Sequence, residues 1–233
     1  MIGAEKVFCT THLEYYGTLE NFLIKKMKQN LFIALEGIDG SGKSTQSKIL
    51  AWKLNDAGYK VHSTIEPTDG AIGSVLRNIL KGKMKVDEHT IAALFVADRL
   101  DHLLNEVDGI VQKLQEGYTV ITDRYYFSSY AYHGTHVDMD WVIQANAMSA
   151  KIRRPDVNIF IDVAPETSMR RVQNRTATEL YETLENLTNV RHNFLNAFEK
   201  LKHEEKIFVT DGNRPLELIS DDIWKYVDGM LKG

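Results

Sequence analysis

One ten-residue segment constrains the fold of this chain more than any other. Residues 36–45 read Glu-Gly-Ile-Asp-Gly-Ser-Gly-Lys-Ser-Thr and contain the spacing G-x-x-x-x-G-K-S. The segment lies between an apolar, strand-like run at 31–35 and a helical pattern at 44–57. In such a turn, glycines let successive backbone N–H groups converge on phosphate oxygens, and the helix N-terminus adds the positive end of its dipole. The sequence therefore predicts a strand, a phosphate-binding loop (P-loop) and a helix, with a nucleoside triphosphate as ligand.

Strand-like and helical patterns alternate from residue 31 to the C-terminus. Apolar, β-rich runs predict strands at 31–35, 59–65, 118–122, 157–162 and 206–209. Helical patterns occupy 44–57, 72–80, 88–116, 139–150, 166–173, 180–203 and 216–231. Helices between successive strands act as crossover connections. We therefore predict an α/β fold, a P-loop three-layer α/β/α domain with a five-stranded parallel sheet flanked by helices, and ligands at the carboxyl ends of the strands.

The 233 residues divide into a short appendage and one domain. Residues 1–30 carry at most one or two amphipathic turns, so we predict an N-terminal appendage before a domain at 31–233; an alternative is that translation begins at Met27. With 28 Lys and Arg against 32 Asp and Glu, the chain lacks the basic excess of a nucleic-acid-coating protein. The single cysteine, Cys9, and the lack of an apolar run near 18 residues predict a cytoplasmic protein with no membrane partner.

The loop and the third predicted strand supply the groups that phosphate chemistry needs. Lys43 can reach the β- and γ-phosphates, and the Ser44 hydroxyl can ligate Mg²⁺. Asp123 follows an apolar strand, where it can orient the metal ion and its waters, or alternatively cap a helix. Phe95 and Arg99 share one helix face, so a ring can stack on a base while a guanidinium binds phosphate; the alternative is a core Phe95 and a surface ion pair for Arg99.

Four ordered motifs follow or include these residues, and the N-K-x-D segment of a GTPase is missing from the sequence. The motifs are E-G-x-D-G-S-G-K-S-T, E-P-T, L-F-x-A-D-R and D-R-Y…S-S-x-A-Y. On these motifs the chain resembles the thymidylate kinase family of P-loop nucleoside monophosphate kinases, from about residue 31 to the C-terminus. The resemblance implies Mg²⁺-dependent transfer of the ATP γ-phosphate to dTMP, giving dTDP and ADP in dTTP biosynthesis. It also implies a homodimer, for which the predicted helix at 88–116 could supply the interface.

The same resemblance implies a role for each motif residue. The implied catalytic residues are Lys43, Asp123, Arg124 and Arg99, with Arg171 or Arg175 from a lid at about 170–183. The implied ATP contacts are Gly37, Ile38, Asp39, Gly40, Ser41, Gly42, Lys43, Ser44, Thr45, Arg171 and Asn213. The implied acceptor contacts are Asp39, Glu66, Pro67, Arg77, Phe95, Arg99, Arg124, Ser128, Tyr132 and His133. The metal ligands would be Ser44 and Asp123, and the alternative for the lid arginines is a solvated helix face.

The chain departs from the family pattern in three ways. Ile65 stands where an Arg is frequent, Glu179 and Leu180 replace an Asp-Arg pair, and His133 replaces a Gln. The first two changes each remove a cation, and a neutral His offers a pyrimidine edge one donor and one acceptor from a ring. Two alternatives therefore stay open: a related P-loop kinase for another nucleotide or phosphorylated metabolite, and a nucleotide-binding protein with little turnover.

Overall fold

A computed structural model describes residues 30–173 and 183–232 of the chain. Its five strands form one parallel sheet in the order β2-β3-β1-β4-β5. The strands are β1 Phe32–Glu36, β2 Val61–Ile65, β3 Thr119–Asp123, β4 Val157–Asp162 and β5 Ile207–Asp211. The predicted α/β class and the five-stranded parallel sheet are confirmed.

Helices cover both faces of this sheet. They are α1 Lys43–Asp56, α2 Ala71–Leu80, α3 Glu88–Leu104, α4 Ile110–Gln115, α5 Tyr126–His133, α6 Met139–Ala145, α7 Ala147–Ile152, α8 Pro165–Gln173, α9 Leu184–Leu201 and α10 Leu216–Lys232. Side chains alternate along a strand, so Phe32 and Ala34 of β1 join a core with α5 and α9, whereas Ile33 and Leu35 join a second core with α1 and α10. In the described residues, every helix is too short or too polar to cross a bilayer.

The helix predicted at 88–116 is wrong, because the structure contains two helices there. Asn105 ends α3, and its Oδ1 accepts a hydrogen bond from the Val107 backbone N–H at 2.9 Å. The chain then turns so tightly that a Cβ atom on Gly109 would lie 2.3 Å from the Asn105 carbonyl oxygen. Apolar periodicity continues across this turn, so the sequence pattern does not register the break.

The helix predicted at 139–150 is also two helices, α6 and α7, which meet at Asn146. The Asn146 Nδ2 donates to the Val142 carbonyl at 2.9 Å, and the residue is fully buried. An asparagine side chain that bonds to the backbone in this way competes with helix continuation. The break also turns the Asn146 Oδ1 towards the site described below.

Two further elements differ from the prediction. Helix α5 has no predicted counterpart, because all of its side chains are buried and it therefore lacks an amphipathic stripe. Helix α9 begins at Leu184 rather than 180, since the Thr183 side chain accepts a hydrogen bond from the Asn186 N–H and caps the first turn. Predicted residues 174–182 of the lid, including Arg175, lie outside the described residues.

The strand order decides where the motifs meet. Strands β2, β3 and β1 are adjacent and parallel, so the segments that follow them emerge at one edge of the sheet. These segments begin with Glu66 after β2, Arg124 after β3 and Gly37 after β1. Ligands bind at this edge in open parallel sheets.

Candidate active site

The loop after β1 folds as a phosphate cradle. Gly40 has a φ of +78°, and a Cβ atom there would lie 2.7 Å from the Ser168 carbonyl oxygen of α8, so only glycine fits without a shift. Gly42, at a φ of +102°, leads directly into α1. The first N–H groups of α1 have no intrahelical acceptor and carry the positive end of the helix dipole. The loop therefore offers backbone donors to an anion.

Lys43 lies inside this cradle. Its Nζ donates to the carbonyl oxygens of Gly37 and Ile38, each at 3.0 Å. Burial, and next the charge of Arg124, lower the pKa of Lys43 to about 8. The ammonium group stays charged at neutral pH. A polyanion bound in the loop would raise this pKa again, because a nearby negative charge favours the charged form of lysine.

Ser44 and Asp123 face each other across the gap between α1 and β3. The Ser44 Oγ donates to the Asp123 Oδ2 at 2.5 Å, and Asp123 is 5% exposed at the end of β3. A hydroxyl and a carboxylate are hard oxygen ligands, which Mg²⁺ prefers, and Mg²⁺ usually takes one or two protein ligands and keeps several waters. The two residues fit the metal ion that the sequence predicts.

Arg124 follows Asp123, and its backbone φ of 76° is one that residues other than glycine rarely adopt. Its guanidinium lies beside the loop. One edge contacts the Asp39 carboxylate, Nη1 donates to the Ser128 Oγ at 3.2 Å, and the plane lies 4.9 Å from the Tyr132 ring centre. The Tyr132 hydroxyl donates to the other Asp39 oxygen at 2.8 Å. Burial opposes the charge, but Tyr132 and Asp39 raise the pKa of Arg124, which stays protonated.

Glu36 contacts Arg124 indirectly, through Ser128, and was not predicted as a site residue. The carboxylate is fully buried and accepts from the Ser128 Oγ at 2.5 Å and the Tyr125 N–H at 2.9 Å. Burial raises the pKa of Glu36 to about 7, against the hydrogen bond from Ser128 and the charge of Arg124. Ser128 thus links a buried acid to the guanidinium of Arg124.

Arg99 is the other cation at this edge, and it is 1% exposed. Its Nε and Nη2 donate to one Glu66 oxygen at 2.9 and 2.5 Å, and its Nη1 contacts the Asn146 Oδ1. Burial works against the charge of Arg99, and the Glu66 carboxylate raises its pKa. Arg99 is therefore held on two sides, and no signal in the sequence pointed to Asn146. The alternative of a surface ion pair for Arg99 is wrong, because the pair is buried.

A chamber opens between Arg99 and helix α5. The Phe95 and His133 rings lie 4.9 Å apart along its wall. The Ser129 Oγ and the His133 Nδ1 are buried, one helical turn apart, and have no hydrogen-bond partner among the described residues. Burial, and next the charge of Arg99, lower the pKa of His133 to about 3, so its ring is neutral at physiological pH.

Comparison with known proteins identifies the family. The model of the thymidylate kinase family matches residues 35–223. The chain belongs to the thymidylate kinase family. A probable thymidylate kinase of Pyrococcus horikoshii is 42% identical over 209 residues, which cover 87% of this chain and 98% of the relative. A probable thymidylate kinase of Methanococcus aeolicus is 38% identical over 200 residues, which cover 84% of this chain and 95% of the relative.

Members of the thymidylate kinase family are nucleoside monophosphate kinases, and this chain is therefore a P-loop phosphotransferase. The site has the size and connection that such an enzyme needs, because one cavity of about 360 Å³ joins the loop to the chamber. The predicted residues that line it are Asp39, Gly40, Gly42, Lys43, Ser44, Thr45, Glu66, Pro67, Arg77, Phe95, Arg99, Asp123, Arg124, Ser128, Tyr132 and His133. The lining residues that were not predicted are Ile65, Asp69, Leu80 and Ser129.

Ser129 could have been found from the sequence, since it stands next to Ser128 in the motif D-R-Y…S-S-x-A-Y. Arg77 lines the cavity wall, and its guanidinium bonds to the loop after β2. Its Nη1 donates to the Pro67 carbonyl at 3.2 Å and forms an ion pair with Asp69 at 3.3 Å. The loop after β2 is further fixed by Asp98, whose carboxylate accepts from the Thr68 N–H at 2.8 Å.

The remaining predicted residues lie outside the cavity wall. Gly37 and Ile38 contribute carbonyls that hold Lys43, and Ser41 is buried within the loop. Arg171 bridges the Gly40 and Gly212 carbonyls at 3.3 and 3.1 Å. The neighbouring Asn213 Oδ1 accepts from the Ala164 N–H at 3.2 Å.

Proposed function

We propose that this chain transfers the γ-phosphate of ATP to dTMP and releases dTDP and ADP, a step towards dTTP. The observation that carries the proposal is the continuous cavity, which runs from the phosphate cradle at Lys43 to a chamber with Phe95 and two unpartnered polar atoms. The family membership and the names of the relatives support the same acceptor.

The donor lies on the P-loop side in this proposal. The loop N–H groups and Lys43 bind the β- and γ-phosphates, and Ser44 and Asp123 hold Mg²⁺ through the oxygens that face each other in the structure. When bound, the metal ion neutralises charge on the two phosphates. Arg171 and Asn213, beside Gly40 and the turn at Gly212, lie on the adenine side.

The acceptor occupies the chamber. Arg124 and Arg99 bind the acceptor phosphate, with Arg124 closer to the loop through its contact with Asp39. The Asp39 carboxylate accepts a hydrogen bond from the sugar 3′-hydroxyl, and the Tyr132 ring leaves little room for a ribose 2′-hydroxyl. Phe95 stacks on the base.

The transfer itself needs alignment and charge stabilisation. An oxygen of the acceptor phosphate attacks the γ-phosphorus in line, the bond from that phosphorus to the β–γ bridging oxygen breaks, and ADP leaves with the electron pair. Lys43 and Arg124 both donate to the loop carbonyl oxygen of Gly37, at 3.0 and 3.4 Å, so both cations can stabilise the charge that spreads over the transferring group. Arg175, outside the described residues, is the proposed lid arginine, and Arg175→Ala should lower kcat far more than it raises KM.

The polar atoms of the chamber favour a base that carries a carbonyl group beside an N–H group. A thymine presents a carbonyl acceptor and an N–H donor side by side, and the neutral His133 Nδ1 with the Ser129 hydroxyl can complement both. Buried polar groups without partners cost about 1–3 kcal/mol each, so a base that satisfies them is favoured over one that does not.

A homodimer is part of the proposal. Ala93, Ala97, Leu100 and Leu104 form one stripe along the outer side of α3, and the Leu104 side chain is 56% exposed. An apolar stripe on a surface helix is a typical association surface.

The deciding experiment is an acceptor panel. Nucleoside diphosphate formation from Mg-ATP is measured with dTMP, dUMP, UMP, dCMP and dGMP, one at a time. A clear preference for dTMP supports the proposal. Turnover of a different acceptor would move the assignment to a related kinase, with His133 and Ile65 as the specificity positions. ATP binding without turnover of any acceptor would indicate a nucleotide-binding protein.

A further inference from the structure

Arg99 has a second layer of support that reaches across two elements. Both of its contacts to Glu66 fall on one carboxylate oxygen, Oε2. The other oxygen, Oε1, lies 3.1 Å from the Nδ1 of His102, and His102 is 6% exposed. Glu66 is thus shared between a cation that lines the cavity and a histidine behind it.

The histidine is itself fixed. Its Nε2 lies 2.8 Å from the Thr64 Oγ1 on β2. An ionised Glu66 can only accept, so the hydrogen-bond network places a proton on the His102 Nδ1, and the Thr64 hydroxyl can donate to Nε2. The tautomer is assigned from this network.

The pairing brings together the end of β2 and one side of α3. Thr64 is on β2 and Glu66 is the first residue after that strand, whereas Arg99 and His102 are three residues apart on α3 and share one side of that helix. The result is a series of four side chains, in the order Thr64, His102, Glu66 and Arg99, in which each side chain contacts the next. His102 does not line the cavity, whereas Glu66 and Arg99 do.

We propose that His102 is a positioning residue: through its Nδ1 bond to Glu66 it fixes the Arg99 guanidinium in the geometry that binds the acceptor. Without that bond, Glu66 keeps its pair with Arg99 but loses the donor that fixes its carboxylate plane. The Arg99 guanidinium can then move together with the Glu66 carboxylate, and only the contact of its Nη1 with Asn146 restrains it. The proposal rests on the proposed function for the identity of the acceptor.

Two substitutions separate the two ring nitrogens. The amide nitrogen of His102→Asn can take the place of Nδ1 and keep the Glu66 bond, whereas the amide of His102→Gln reaches the place of Nε2, where it can bond to the Thr64 hydroxyl but not to Glu66. We expect His102→Gln to raise the KM for dTMP about tenfold, because a hydrogen bond to a charged group is lost, with the KM for Mg-ATP within twofold of the native value. His102→Asn should keep the KM for dTMP within about threefold.

The matched control is His89→Asn, on the same helix, where the histidine side chain is 62% exposed and pairs with Asp87. It should change neither KM. Calorimetric titration of dTMP at a temperature where each variant is folded, checked by circular dichroism, repeats the comparison without turnover. If one variant fails to fold, Thr64→Val, which frees His102 from β2, serves as the second test and should raise the KM for dTMP by a smaller factor.

Equal KM values for dTMP in the Gln and Asn variants, or a joint rise in both KM values, would overturn the positioning role. If the native protein turns over a different monophosphate, the proposed acceptor is wrong. The KM values of the Gln and Asn variants for that monophosphate then test His102. If the native protein binds no monophosphate, both proposals fail together.

Discussion

The buried acid under Arg124 makes the stability of this protein depend on pH in a predictable direction. Glu36 is fully buried, and its pKa rises from 4.5 to about 7. Since the folded-state pKa exceeds the unfolded value, the native state holds this proton more tightly than the unfolded chain does. The contribution of Glu36 to the free energy of unfolding is therefore fully present below about pH 4.5 and is lost as the pH rises to about 7.

The magnitude follows from the shift. A rise from 4.5 to about 7 corresponds to about 3 kcal/mol, of which about 2 to 3 kcal/mol falls between pH 5 and pH 8. Glu36→Gln removes the titration but keeps the shape: its amide oxygen can accept from the Tyr125 N–H, and its NH₂ can donate to the Ser128 Oγ. The difference in free energy of unfolding between the variant and the native protein should therefore grow in favour of the variant across this range.

Urea unfolding at pH 5, 6, 7 and 8 measures that difference directly. The matched control is Glu106→Gln, whose side chain is exposed in the turn after α3; its difference from the native protein should stay flat. A constant difference for Glu36→Gln, within about 0.5 kcal/mol over the same range, would refute the raised pKa and the buried ionisation that follows from it.

Three other outcomes test the site and the assembly. Arg124→Lys loses the planar guanidinium that contacts Asp39 and Ser128. In a steady-state assay, kcat/KM for dTMP should therefore fall about 100-fold with little change in Tm. A loss of less than threefold would contradict the role of Arg124. The pKa of Lys43 is lowered to about 8, so the ammonium group loses its proton above that pH. In pH-rate profiles, kcat/KM for Mg-ATP should therefore decline above pH 8 in the native enzyme but not in Lys43→Arg. Leu104→Glu should give a monomer by light scattering, whereas the control Leu218→Glu on α10, 50% exposed, should not; a dimer in both would move the interface away from α3.

The sheet class and the loop could be predicted from the sequence because both depend on short-range patterns. Apolar runs of four to seven residues and the glycine spacing at 37–42 act within one strand–turn–helix unit. The same reasoning failed for 88–116 and 139–150, where Asn105 and Asn146 break helices through side-chain bonds to the backbone. It also missed α5, since a helix buried on every side has no polar face to reveal its period.

Most predicted site residues lie together because their motifs follow adjacent strands, and the order β2-β3-β1 was not readable from the sequence. The supporting residues were out of reach for the same reason. Glu36 meets Ser128 across 92 positions, and Arg99 meets Asn146 across 47. The amino-acid pattern determined which groups could bind phosphate and nucleotide. Only the tertiary structure decided which partners orient them and which ionise abnormally, because burial and the distances between charges are set by how the sheet brings distant segments together.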